Sequence, residues 1–150
     1  MKKSESEANL DAPTLTGIHA DGRRACTLHV CTSCRPRGAP REPREQRPGF
    51  ILYHRLREAL NRSEIRQSVQ IQPADCLSLC PRPCGITLSC SGRWTYLFGD
   101  QEPGKSVEDI LECVSAYLDS ADGMLARTER PRSLRASIRG RIPPMGPSPC

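Results

Sequence analysis

Five of the nine cysteines in this 150-residue chain fall into two tight runs: Cys31 and Cys34 in CTSC, then Cys76, Cys80 and Cys84 in CLSLCPRPC. A thiolate is a soft, polarisable donor. Thiolates bunched on two loops are what Zn²⁺, another transition metal or an iron-sulfur cluster needs. Both runs fit the paired knuckles of zinc sites, and four such sulfurs suit a [2Fe-2S] cluster equally, two to each iron. Spacing does not choose between them. Cys26, Cys90, Cys113 and Cys150 show no such pairing.

A C-x-x-C after a strand also suggests thiol-disulfide exchange. That chemistry places the second cysteine in the first turn of a helix, which Pro36, Gly38 and Pro40 forbid. The sequence holds no Ser/His/Asp set, no G-x-x-x-x-G-K phosphate loop and no convincing carboxylate pair, so it is not expected to be an enzyme.

The elements that must position the cysteines follow from periodicity. Residues 27–32 (TLHVCT) are β-prone and end at the first cysteine run, and a proline-rich loop follows. From Phe50 the apolar positions Ile51, Leu52, Leu56, Ala59 and Leu60 recur at helical spacing. Residues 69–72 alternate as a second strand, which Pro73 is expected to end just before Cys76. Residues 86–90 alternate again, and Ser91 and Gly92 predict a two-residue turn into Trp94, Tyr96 and Phe98, a hairpin with aromatics on one face. Ser106 opens a second helix, with Asp109 in a variant of the capping box, and Asp122 and Gly123 close it.

The expected fold is therefore α/β, in the order β, α, β, cysteine loop, β, β, α, with one mixed sheet. If the first two strands are parallel, both cysteine loops leave the same carboxyl edge of the sheet and can meet.

Length allows one domain, but 37% hydrophobic and only 4% aromatic residues put part of the chain outside a core. Residues 1–24 read as a flexible leader, 25–123 as the metal-binding domain and 124–150 as an Arg/Pro-rich tail. That tail carries six Arg against one Glu, which accounts for the whole net charge of +5. It reads as a solvated arm, and without interleaved aromatics it gives little support to nucleic-acid binding. The MKKSESE start has no apolar run after it and no segment reaches the roughly 20 apolar residues of a membrane span. The expected location is cytoplasmic, where clustered thiols stay reduced.

Cys90 shares a strand face with Ile86 and Leu88 and reads as a small buried hydrophobe, as does Cys113 on its helix. Cys26 and Cys150 read as incidental thiols near loose ends, His29 as exposed, and Asp100 and Glu102 as a solvated turn. Trp94, Tyr96 and Phe98 read as core that could also shield a cluster.

VCTSCRPRGAP, CLSLC, GITLSCSGRWTYLFGD and the helix from Ser106 together resemble the thioredoxin-like [2Fe-2S] ferredoxins. A closer resemblance, over residues 29–144 and including CLSLCPRPC, WTYLFGD, ERPRSLR and RGRIPP, is to an uncharacterised bacterial family of predicted metal-binding proteins related to that fold. The resemblance implies a thioredoxin-like fold with Cys31, Cys34, Cys76 and Cys80 at the cluster-holding positions, one-electron transfer and a protein redox partner. The alternative is a zinc or other transition-metal module for storage, delivery or sensing. Two departures matter: only two residues separate Cys31 from Cys34, and Cys84 is an extra thiol that could replace Cys34 as a ligand.

Overall fold

The computed structural model describes residues 25–146. The leader and Cys150 lie outside the described residues. Five strands form one mixed sheet: β1 (Cys26–Cys31), β2 (Val69–Ala74), β3 (Ile86–Ser89), β4 (Thr95–Phe98) and β5 (Ile138–Ile142), in the order β2-β1-β3-β4-β5. β1 and β2 are parallel and joined through α1 (Pro48–Asn61), whereas β3, β4 and β5 are antiparallel to their neighbours. α2 (Val107–Asp119) and the short α3 (Arg132–Arg135) precede β5.

Alternation decides which face is covered. Cys26, Leu28 and Val30 of β1 pair across the ladder with the face of Ile86 and Leu88, which continues into Tyr96 and Phe98. All of these are buried, together with Leu52, Leu56 and Leu60 of α1 and Ile110, Val114 and Tyr117 of α2. Spacing of four residues along α1 keeps its leucines on one stripe. Each buried leucine contributes about 2 kcal/mol of apolar transfer. Tyr96 stacks on Phe98 at 5.6 Å and meets Tyr117 edge-on at 6.3 Å.

Several local expectations change. β2 runs through Pro73 to Ala74, because β2 is the sheet edge and an edge strand tolerates a residue without an N–H. The β3-β4 turn is centred on Ser91 and Gly92 as expected, closed by the Arg93 N–H donating to the Cys90 carbonyl at 3.1 Å with Gly92 at φ +70°, but the strands stop short of it, at Ser89 and Thr95. Ser106 makes no side-chain cap to α2; its hydroxyl instead accepts from the Glu102 N–H at 2.9 Å. α2 ends at Asp119, before Gly123. Gly123, at φ +80°, is needed where the chain passes Tyr117 and Arg93, since a Cβ there would lie 2.8 Å and 2.9 Å from their side chains.

The largest correction concerns residues 124–146, expected as a solvated tail. Leu125 and Leu134 are buried in the core and β5 pairs along β4. Three of its arginines are engaged: Arg135 donates to the Arg130 carbonyl, Arg139 to Asp100, and Arg141 lies over the Trp94 ring. Cys26, expected as incidental, opens β1 with no exposed surface.

Candidate metal centre

The parallel register of β1 and β2 sets the site. Cys31 is paired with Ala74, so Cys34 and Cys76 follow the ends of two adjacent strands at one sheet edge. The Thr32 N–H donates to the Ala74 carbonyl at 2.8 Å, and the Asp75 carbonyl oxygen lies 4.0 Å from the Cys31 sulfur. The two cysteine loops do converge.

Three backbone contacts fix the first loop. α1 begins directly against it: the Gly49 N–H donates to the Cys34 carbonyl at 3.1 Å, and a Cβ on Gly49 would stand 2.1 Å from the Cys31 carbonyl oxygen. Only glycine admits this approach. On the other side the Cys31 N–H donates to the Gly85 carbonyl at 3.0 Å, and the Gly85 N–H points at the Cys34 sulfur at 3.3 Å. Arg44 ties the loops together from outside, donating to Thr32 Oγ1 at 2.7 Å and to Asp75 Oδ1 at 2.8 Å.

The second loop is braced from the far side of the sheet. Cys84 exchanges backbone hydrogen bonds with Gln101, at 3.1 and 3.2 Å, and the Arg82 carbonyl accepts from the Asp100 N–H at 3.1 Å. Asp100, at φ 56°, is no loose turn residue; its carboxylate accepts from Arg139 at 2.6 Å and lies 3.7 Å from Arg82. Gly99 lets Arg82 sit on the end of β4, where a Cβ would meet the Arg82 carbonyl at 2.9 Å. Within the loop, Ser78 at φ 54° turns its N–H back to the Cys76 sulfur at 3.3 Å.

The five thiols divide sharply by burial. Cys31, Cys34 and Cys84 are 3%, 3% and 1% exposed, whereas Cys76 and Cys80 are exposed. The Cys34 thiol donates to the Cys31 sulfur, which also receives the backbone N–H groups of Leu77, Ser33 and Cys34. Those donors favour the thiolate and hold Cys31 well below the ordinary thiol value, the Cys34 hydrogen bond first and burial opposing it. The same bond, with burial and the charge at Cys31, pushes Cys34 up. Burial, reinforced by Cys31, pushes Cys84 up to about 12. Three sulfurs beside a nest of N–H groups, able to lose protons to a metal, make a soft-donor edge.

Of the sequence-expected ligands, the structure brings Cys31 and Cys34 together, with Cys84 buried nearby. Cys76 and Cys80 stand on the facing loop. Among the described residues, no three His, Cys, Asp or Glu side chains are gathered closely enough to hold a metal ion. The donor chemistry fits zinc or an iron-sulfur cluster, since all five groups are sulfur and the paired loops adjoin. The histidines stand outside: His29 is half-buried within β1, and His54 packs on Phe50 at 4.5 Å. Arg44, Gly49, Gly85 and Asp100 were not legible as site residues, because each acts through contacts distant in the chain. The one available signal was Gly85, directly after the second cysteine run.

Beside Cys80 opens a cleft of about 750 Å³ lined by Ser33, Arg35, Arg37, Arg41 and Arg47. Glu42 answers only Arg47, at 2.6 Å, so the mouth of the site is cationic. No helix among the described residues is long and apolar enough to cross a membrane.

A family profile described as "Protein of unknown function (DUF1636)" matches residues 28–144. No curated protein matches the chain. Among solved structures the chain is similar to a thioredoxin-like [2Fe-2S] ferredoxin from Aquifex aeolicus, at 18% identity and a TM-score of 0.53, covering 83% of this chain and 98% of that one. A cysteine-to-serine variant of the Aquifex aeolicus ferredoxin gives 16% identity and a TM-score of 0.50, covering 77% and 98%. At these identities the likeness is one of fold, and the fold is thioredoxin-like.

Proposed function

The chain belongs to this family of proteins of unknown function (DUF1636), and on that premise we propose that it is a metal-binding protein whose Cys31, Cys34, Cys76 and Cys80 thiolates hold a [2Fe-2S] cluster for one-electron transfer. The observation that carries the reading is the parallel pairing of Cys31 with Ala74, which sets both cysteine loops at one sheet edge. A cluster bound there would supply the one-electron couple; the chain supplies ligation and tuning. Hydrogen bonds from Leu77, Ser33 and Cys34 to the Cys31 sulfur and from Ser78 to the Cys76 sulfur stabilise negative charge and select the more reduced state. The cationic cleft at Cys80 suits an acidic protein partner, which its arginines would orient on approach.

A specific observation favours a second reading. Cys84 is buried with Cys31 and Cys34 while Cys80 is exposed, an arrangement that suits a zinc or other transition-metal module in which Cys84 joins the ligand set. Anaerobic purification followed by metal and acid-labile sulfide analysis separates the two. Two irons and two sulfides per chain, with visible charge-transfer bands lost in Cys76→Ser and kept in Cys84→Ser, support the cluster. Colourless protein without sulfide refutes it, and one zinc per chain lost in Cys84→Ser establishes the module.

A further inference from the structure

At the end of β1 far from the candidate metal centre, two more thiols face each other. The β1-β3 ladder pairs Thr27 with Ser89. Just past the end of β3, the same register carried one residue further puts Cys90 across from Cys26, on the face of Leu28 and Leu88. Directly opposed residues of antiparallel strands have Cα atoms about 4.5–5.5 Å apart, within the roughly 4.4–6.8 Å that a disulfide spans. Their electrostatic coupling shows the same proximity: Cys26 and Cys90 act on each other and both act on Tyr117.

The two thiols are not equivalent. Cys26 is fully buried, whereas Cys90 is half-buried at the start of the β3-β4 turn and reachable from solvent. Beside them is the buried Arg93 guanidinium, which donates to the Tyr117 carbonyl at 2.7 Å and keeps an unpartnered Nε. A cation sharing a pocket with a dithiol favours any sulfur or oxygen anion that forms there.

We infer that Cys26 and Cys90 form a reversible disulfide, with hydrogen peroxide as the oxidant. The Cys90 sulfur attacks one peroxide oxygen; the S–O bond forms, the O–O bond breaks, and the departing hydroxide takes the thiol proton to leave as water. The Cys26 sulfur then attacks the Cys90 sulfenic sulfur. The S–S bond forms, the S–O bond breaks, and the hydroxyl leaves as water with the Cys26 proton. Two thiols lose two electrons and the peroxide becomes two waters. The bond staples β1 to β3. It lies a strand length, about 17 Å, from Cys31, and it is independent of any metal reading.

The test uses the full chain, reduced and desalted, treated with equimolar hydrogen peroxide and then denatured and blocked with iodoacetamide. Non-reducing digestion and fragmentation mass spectrometry should find Cys26 linked to Cys90, with a mass loss of two hydrogens that dithiothreitol reverses. Cys90→Ser, at a half-buried position, should keep the wild-type circular dichroism spectrum, lose the link, and leave Cys26 alkylatable once denatured. Cys26 recovered alkylated from oxidised wild-type protein, or Cys90 linked instead to a cysteine of either metal-site loop, overturns the inference.

Discussion

Cys26 and Cys31 close the two ends of one six-residue strand, and both are buried. Around Cys26 the neighbours are apolar side chains and a second thiol, and burial pushes it up to about 12, with Cys90 adding to the rise and Arg93 opposing it. Around Cys31 the loops turn a thiol and three backbone N–H groups toward the sulfur, and it is held below the ordinary value. Removal from water raises a thiol; donors aimed at it lower one. The lowered thiol at this sheet edge is thus made by loop backbone rather than by exposure, and the apolar region serves to hold that backbone still.

The comparison can be broken at several strengths. The largest effect is expected in the apolar region, where Leu134→Ala empties a fully buried position and should lower the unfolding free energy by about 3 kcal/mol in urea titrations. A change within the error of wild type would mean that residues 124–146 do not belong to the core. At the other end, Gly49→Ala forces a Cβ onto the Cys31 carbonyl, and we expect a loss of about 2 kcal/mol together with loss of metal uptake. Stability lost with uptake intact would show that the loop's position is irrelevant to binding.

Acidity gives a sharper contrast. Cys26, Cys84 and Cys113, each raised to about 12 chiefly by burial, have folded values above their unfolded value of 9.0. Their contribution is present below 9.0 and is lost as pH rises toward 12. Cys31 has the opposite sign, with its contribution full above the unfolded value of 9.0 and falling away as pH drops below it. Urea midpoints followed from about pH 6 to about pH 11 should show the alkaline loss softened in Cys26→Ala, and the gain in stability with rising pH below 9.0 lost in Cys31→Ala. Cys34→Ala removes the first donor to Cys31, so the pH profile of Cys31 alkylation by iodoacetamide should move upward; a stationary profile would leave the backbone donors as the whole cause. The smallest effect belongs to Arg44→Gln, which cuts an exposed tie between the loops and should cost under about 1 kcal/mol.

Much of this arrangement was legible because it is local. Leu52, Leu56 and Leu60 announce α1 by spacing, and the order strand, helix, strand before Cys76 places both cysteine runs at one edge. What escaped is non-local. Ile138 to Ile142 reads IRGRI, a glycine between arginines, and becomes a strand only because β4 offers an open edge forty residues earlier in the chain. Cys84 read as a possible substitute for Cys34, but its burial was not legible, because it depends on backbone pairing with the distant Gln101. Cys26 looked terminal because the polar residues before it hide a strand that begins at once.

The chain of contacts from Arg139 through Asp100 to Arg82 sets an order of events. A ribosome delivers Cys31 and Cys34 first, the CLSLCPRPC loop next, and the arginine that braces that loop more than fifty residues later. Until β5 joins the sheet, Asp100 lacks that clasp and the second loop is held from one side only. On the proposed metal-binding reading, metal loads late, after β5 has joined the sheet. A nascent chain must carry its exposed thiols through that interval, and whatever shields them in the cell has to act before the last strand is made.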